Sequence, residues 1–192
     1  MTALPPVKRE ISVSWAPEAA FKRFTEQFGA WWPRATHSIG GKRVARIVFE
    51  TRLGGLIYEE HIDGRRFQWG EVTLWDPPRR VAFSFHPSMD RSKAQDVSVE
   101  FEPQGQGAMV RLVSTGWEKL GAKGRKLARR AYDAGWSYIL NVWAERRTSR
   151  MRVMETVVGL VNRVRIGGIE AQIARAEGEI APAIPKARPA RS

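Results

Sequence analysis

Residues 97–143 read VSVEFEPQGQGAMVRLVSTGWEKLGAKGRKLARRAYDAGWSYILNVW, and the fold is decided by a change of hydrophobic period within them. Apolar and polar residues alternate on both sides of the glycine-rich turn at 104–107, as in two paired strands. From Tyr132 onward, apolar residues instead recur every three or four positions. The stretch therefore predicts a β-hairpin followed by a long amphipathic helix over the proline-free residues 121–147.

The residues before this stretch repeat the strand signals at short intervals. Phenylalanines with helical spacing predict a first helix over 17–28, and residues 34–43 are predicted to be a loop. Because each strand neighbours the next across a short turn, we predict an antiparallel meander packed on the long helix, an α+β fold. The earlier strands are predicted at residues 7–15, 45–50, 56–61, 67–75 and 80–86.

Strand alternation assigns side chains to the concave face that would receive the helix. In residues 67–75 it places Trp69 and Glu71 outside. The residues assigned to the concave face are Gly70, Val72, Leu74, Val81, Phe83, Phe85, Val97, Val99, Phe101, Val110, Leu112 and Ser114.

Composition excludes several classes of protein. The chain has 192 residues and no cysteine, which excludes a disulfide scaffold, thiol catalysis and cysteine-bound zinc. No apolar run approaches the ~20 residues of a membrane span, and the N-terminus lacks an apolar signal core, so we expect a cytoplasmic protein. The net charge of +12 is spread along the chain without a nucleic-acid-binding motif, so we predict no specific nucleic-acid partner.

The sequence divides into three parts. Residues 1–147 contain the predicted sheet and long helix. Residues 148–180 carry further helical apolar spacing and are predicted to be a helical appendage, which could serve a protein partner or a homodimer. Residues 181–192 are rich in alanine, proline and basic residues, and we predict a disordered basic tail.

Candidates for catalysis are few. The three histidines are far apart in sequence, and no nucleophile, phosphate-loop or metal motif occurs, so we predict no metal, no cofactor and no catalytic residue. Glu59 and Glu60 point to opposite faces of a strand, and an inward carboxylate would need a partner such as Arg46 or Arg111. We favour a hydrated position near the rim for Glu59, and a loop position bonded to backbone or water for His37.

Several separated motifs resemble the SRPBCC superfamily, and more narrowly its bacterial branch named after the activator of heat-shock-protein-90 ATPase. The resemblance covers about residues 7–147, and the chain from Thr148 onward has no counterpart in it. The motifs are Trp31-Trp32-Pro33, Thr36-His37-Ser38, Gly54-Gly55 to Tyr58-Glu59, Asp63-Gly64, Trp69-Gly70, Trp75-Asp76-Pro77-Pro78-Arg79-Arg80-Val81, Phe83-Ser84-Phe85, Val97 to Phe101, Ser114-Thr115-Gly116-Trp117 and Gly135-Trp136.

The resemblance implies a helix-grip fold, in which a curved antiparallel sheet wraps around a long C-terminal helix and encloses a cavity. Relatives by fold bind lipids, sterols, polyketides or plant hormones, and some cyclise polyketides. The branch has no general catalytic residues to transfer to this chain, and a shared fold is a weak guide to function.

Our first hypothesis is that the chain binds a small apolar or amphipathic molecule between sheet and helix. The alternative is a protein-interaction or co-chaperone-like role through the basic surface and the C-terminal helices, and a cyclase or hydrolase activity is less favoured. The predicted cavity-lining residues are Trp31, Trp32, Tyr58, Val72, Phe83, Phe85, Val99, Leu112, Trp136 and Leu140, with His37, Glu59 and Ser114 as polar anchors.

Overall fold

A seven-stranded antiparallel sheet packs against a long C-terminal helix in the computed structural model, which describes residues 4–87, 89–146, 148, 151 and 153. The predicted appendage therefore lies outside the described residues except at three positions, and the predicted tail lies wholly outside them. The strands are β1 (Val7–Val13), β2 (Val44–Phe49), β3 (Leu56–His61), β4 (Arg66–Asp76), β5 (Arg80–Phe85), β6 (Gln95–Gln104) and β7 (Gly107–Thr115).

The strand order in the sheet is β1-β7-β6-β5-β4-β3-β2, so β2 to β7 form a continuous meander and β1 pairs with the free edge of β7. The predicted antiparallel meander is thus confirmed. In the central hairpin Val97 pairs with Ser114 and Val99 with Leu112, which places their side chains on one face. That face is buried and forms the floor on which the helices lie.

In the described part of the chain, four α-helices lie on the concave side: α1 (Pro17–Thr25), α2 (Phe28–Trp31), α3 (Arg34–His37) and α4 (Gly121–Trp143). Proline suits the first turn of α1, because its missing N–H would be unpaired there in any case. The predicted first helix ends at Thr25 rather than at residue 28, α2 begins at Phe28, and α3 lies within the predicted loop. The long helix is confirmed, but it ends at Trp143 rather than at residue 147, and Glu145 adopts a positive φ of 59°.

Strand β4 departs from the regular alternation that the sequence predicted. Its register shifts once opposite Ile57 and Tyr58, and again between Val72 and Leu74. Each shift adds a residue and reverses the alternation beyond it. As a result Trp69 is completely buried in the core, contrary to its predicted outward position, whereas the predicted inward Leu74 is only half-buried.

Among the described helices, none has the length and hydropathy that crossing a membrane requires.

Candidate functional site

Most of the predicted cavity-lining residues lie in the space between the sheet and α4. Val72, Phe83, Phe85, Val99 and Leu112 are buried on the concave face of the sheet. Trp136 and Leu140 face them from α4, and Trp31 and Trp32 close the space from the side of α2. These nine residues belong to one continuous core cluster.

Phe85 lies at the centre of one group of aromatic rings, which we call the Trp136 cluster: Trp32, Trp69, Phe85 and Trp136 with the neighbouring polar residues Gln95 and Ser114. The centroid of the Phe85 ring lies 5.2 Å from that of Trp136, 6.0 Å from Trp32 and 6.3 Å from Trp69. Trp32 and Trp69 are 5.2 Å apart. These are contact distances for aromatic pairs, so α4 is joined to the sheet here through rings.

A second group, the Trp143 cluster, occupies the C-terminal end of α4: Trp15, Phe21, Phe24, Trp31, Phe101 and Trp143. Phe24 contacts both Phe101 and Trp143, with ring centroids 5.8 Å apart in each pair. Trp15 packs edge-on against Trp143 at 5.5 Å. This cluster attaches α1 and α4 to the far end of β6.

The Trp136 cluster contains four buried polar atoms without a hydrogen-bond partner in the described structure: Nε1 of Trp69, Nε1 of Trp136, Oε1 of Gln95 and Oγ of Ser114. Gln95 pairs directly with Phe85 across the sheet, and Ser114 pairs with Val97, so both side chains share the concave face. Buried polar groups in folded proteins nearly always have a partner. Four such atoms therefore lie around one set of aromatic rings.

Three other tryptophans do have a hydrogen-bond partner for the indole N–H. The indole of Trp31 donates to the carbonyl of Arg23 at 2.9 Å, and that of Trp32 donates to the carbonyl of His37 at 2.8 Å. Trp117 donates to the carbonyl of Ser114 at 3.1 Å. Among the described residues, nothing accepts a hydrogen bond from the indole N–H of Trp69, Trp136 or Trp143.

Tyr132 lies at the edge of the Trp136 cluster, with its ring centroid 6.3 Å from Phe85 and 5.3 Å from Trp117. Burial disfavours the phenolate and raises the pKa of Tyr132 to about 12. The phenol is therefore protonated at neutral pH and can donate a hydrogen bond.

Glu59 is completely buried, which overturns its predicted hydrated position near the rim. Its partners are not the predicted arginines. The backbone N–H of Ile39 donates to Oε2 at 2.8 Å, and that of Gly40 donates to Oε1 at 2.7 Å. Nε2 of His61 lies 2.5 Å from the same Oε1. The carboxylate thus anchors the segment after α3 to strand β3.

Gly40 is required for this arrangement, because a Cβ at that position would lie 2.2 Å from Nε2 of His61. The imidazole is itself buried, and its Nδ1 has no partner among the described residues. His61 was not a predicted site residue, although it shares a strand face with Glu59 and could have been found by alternation.

His37 lies on α3 rather than in a loop, and its ring stacks on Tyr138 of α4 with centroids 4.9 Å apart. Its Nδ1 lies 2.8 Å from the hydroxyl of Thr36. Contacts of His37 and Glu59 therefore fix the two ends of the short segment 37–40. The carbonyl of His37 in this segment accepts the hydrogen bond from the Trp32 indole.

Tyr58 is wrongly predicted as a cavity-lining residue. It is buried, but it neighbours the inward Glu59 on a regular strand and so points to the opposite face. There the guanidinium of Arg66 lies 5.2 Å from the Tyr58 ring centroid. Glu60 shares this outer face, and hydrogen bonds from Arg46 and Arg66 lower the pKa of its carboxyl.

Two members of the Trp136 cluster were missed by the sequence reasoning. Gln95 continues the inward alternation of Val97, Val99 and Phe101, so its position was accessible from sequence. Trp69 was not accessible, because the irregular pairing of β4 reverses its direction. In the described part of the chain, no three histidine or carboxylate side chains converge as a metal ion would require.

Comparisons with known proteins place this arrangement in a family. The sequence profile described as Activator of Hsp90 ATPase homolog 1-like protein matches residues 15–145. A Bacillus halodurans protein solved in solution has 18% identity and a TM-score of 0.54, covering 76% of this chain and 98% of that chain. An AHSA1-like protein from Aeromonas hydrophila has 17% identity and a TM-score of 0.52, covering 74% and 91% of the two chains.

A third solved structure is that of Txn09, an anthrahydroquino-γ-pyrone synthase complexed with SUM, which has 30% identity and a TM-score of 0.47. The match covers 67% of this chain and 88% of that chain. No curated protein matches in sequence. Because the profile spans more than half of the sequence, this protein belongs to the family of Activator of Hsp90 ATPase homolog 1-like proteins.

Proposed function

We propose that this protein binds a small amphipathic molecule with an aromatic body between the sheet and α4, at the Trp136 cluster. The observation that carries the proposal is the set of four buried, unpaired polar atoms among aromatic rings. An apolar concavity with a few polar groups is the usual form of a small-molecule site. Burying polar groups without partners is unfavourable, so a bound molecule that pairs with them gains affinity.

The polar atoms indicate which groups such a ligand carries. Two indole N–H groups can only donate, so the ligand needs acceptors such as carbonyl oxygens. Oε1 of Gln95 is an amide oxygen and can only accept, and the amide nitrogen already donates to the carbonyl of Lys93 at 2.6 Å. The ligand therefore needs a hydroxyl or N–H group as well. The hydroxyl of Ser114 can donate to an acceptor of the ligand or accept from one of its donors.

Arg125 supports the amphipathic character of the ligand. Its Nε and Nη1 atoms are buried and have no partner among the described residues. Arg125 precedes Tyr132 by seven residues, which is about two turns, so both lie on the same side of α4. An acidic group on the ligand could pair with this guanidinium near the start of the helix.

Ring contacts at 5.2–6.5 Å mean that a ligand enters only if rings move. Trp136 is the ring on α4 that meets Phe85 and Trp32, so we expect binding to displace Trp136 away from the sheet. Without a ligand, the same rings pack against one another as part of the hydrophobic core.

Native mass spectrometry of the protein, purified gently from its own host, tests the proposal. We expect an added mass of a small molecule that is lost on denaturation. Trp136→Phe keeps a ring but removes the indole N–H. The fraction of protein that carries the added mass should therefore fall at least several-fold. Trp143→Phe is the matched control, because it removes another unpaired indole N–H on the same helix.

A bare mass for the wild-type protein, or equal loss of the added mass in both variants, would contradict binding at the Trp136 cluster. An added protein chain would instead favour the partner hypothesis. That alternative draws on Leu127 and Val153, apolar side chains that are 74% and 65% exposed. A partner or homodimer contact through residues 148–180 stays a prediction from sequence.

A further inference from the structure

A groove of about 440 Å³ lies on the outside of the molecule, between α1 and the turn that joins β4 to β5. Its apolar lining comes from Phe21 and Trp75, whose ring centroids are 5.1 Å apart, and from the exposed prolines Pro77 and Pro78. Trp75 is only half-buried, so its indole contributes both to the core and to the groove. The groove shares Phe21 with the Trp143 cluster and is separate from the proposed ligand site.

The rim of the groove has acidic character in a strongly basic protein. The rim is formed by Glu18 and Lys22 of α1 and by Glu26 at the C-terminal end of that helix. It therefore carries two carboxylates and one ammonium group. Lys22 pairs with Glu18 at 3.0 Å. Hydrogen bonding and charge attraction from Glu18, with a smaller contribution from Glu26, raise the pKa of Lys22. The remaining negative charge is that of Glu26, in a chain whose net charge is +12.

Indole and proline surfaces of this kind suit an extended proline-containing peptide. Proline-rich segments in polyproline II conformation dock onto aromatic-lined grooves, and their low conformational freedom reduces the entropic cost. Basic residues beside the prolines would complement the carboxylates on the rim. The occupant that fits is therefore a segment with prolines and cationic side chains in alternation.

This chain contains such a segment at residues 181–192, which read APAIPKARPARS. We propose that this segment docks into the groove of the same molecule, with Pro185 against Trp75 and Lys186 or Arg188 beside Glu26. The connecting residues 154–180 would span about 40 Å even if wholly helical, which is enough to reach across a domain of this size. Docking would bury the exposed part of the Trp75 side chain and neutralise the negative charge of Glu26.

The absence of cysteine allows a direct test in the full-length protein. A spin label on Ala190→Cys leaves all three prolines and the basic residues of the segment intact. In ¹⁵N-labelled protein we expect paramagnetic broadening of the Trp75 indole N–H and of the amides of Glu18, Lys22 and Glu26. Absence of broadening there, or broadening centred elsewhere, would overturn the proposal.

Charge variants make the test specific. Glu26→Lys should lower the paramagnetic relaxation at Trp75 at least threefold, and adding Lys186→Glu should restore most of it. Glu118→Gln is the control, since Glu118 is exposed and does not line the groove. A second sample mixes spin-labelled unenriched chains with ¹⁵N chains lacking the label. Broadening in that mixture would mean that the groove binds a second copy, which would contradict docking within one molecule.

Discussion

The two aromatic clusters on α4 have similar rings but differ in their polar groups. In the Trp143 cluster, Trp31 donates its indole N–H to a carbonyl, and the buried hydroxyl of Thr25 beside it donates to the carbonyl of Phe21 at 2.9 Å. Among the described residues, the Trp143 cluster has one buried polar atom without a partner, Nε1 of Trp143, whereas the Trp136 cluster has four. We therefore expect the first cluster mainly to stabilise the fold, and we propose the second as the ligand site.

The largest expected effect is on the Trp143 cluster. Trp143→Ala removes a completely buried ring, so we expect the free energy of unfolding to fall by about 3–5 kcal/mol. Urea denaturation followed by circular dichroism measures this. A loss below about 1 kcal/mol would contradict a stabilising role for the Trp143 cluster.

Glu59→Ala should have the next largest effect, because it leaves two backbone N–H groups and His61 without their acceptor. We expect a loss of roughly 3 kcal/mol in the free energy of unfolding, together with a changed environment for Trp32. Glu60→Ala is the control on the neighbouring residue. Its pairs with Arg46 and Arg66 lie on the outer face and should contribute less than about 1 kcal/mol. Equal effects for the two variants would contradict the anchoring role of Glu59.

The raised pKa of Tyr132 predicts a dependence on alkaline pH. The folded state favours the neutral phenol, so its contribution is complete below pH 10 and is lost as pH rises toward 12. Relative to Tyr132→Phe, the wild-type protein should lose about 1 kcal/mol of unfolding free energy between pH 9 and pH 11. A difference that stays constant over this range would show that the phenol is not buried against the cluster.

The smallest effect compares one buried hydroxyl from each region. Thr25→Val removes a hydroxyl that is hydrogen-bonded, so it should lower the free energy of unfolding by about 1 kcal/mol. Ser114→Ala removes an unpaired hydroxyl, so the ligand-free protein should be unchanged or slightly more stable. If Ser114→Ala destabilises as much as Thr25→Val, the serine hydroxyl already has a partner within the fold.

Much of the fold was predictable, because hydrophobic period and strand alternation are local properties of the sequence. Alternation correctly placed Phe85, Leu112 and Ser114 on the concave face, and the helical spacing correctly placed Trp136 over them. The same rule shows the error at Tyr58, since Tyr58 and Glu59 are neighbours on one strand and cannot both point inward.

The remaining parts of the site depend on pairing that the sequence does not reveal. Trp69 faces inward because β4 has an irregular register with β3, and that irregularity has no clear local signal. Glu59 is buried because backbone groups 19 and 20 residues earlier in the chain bind it. No side-chain pattern predicts an interaction in which the partner is the main chain.

Indole N–H resonances test the central claim most directly, because they report on the donors that a ligand would use. Spectra of the ¹⁵N-labelled protein would be compared as purified and after unfolding and refolding, which removes a bound small molecule. Assignment comes from single Trp→Phe variants. We expect the Trp69 and Trp136 resonances to shift while that of Trp143 stays in place. Unchanged resonances for Trp69 and Trp136, or an equal shift of Trp143, would contradict a ligand site at the Trp136 cluster.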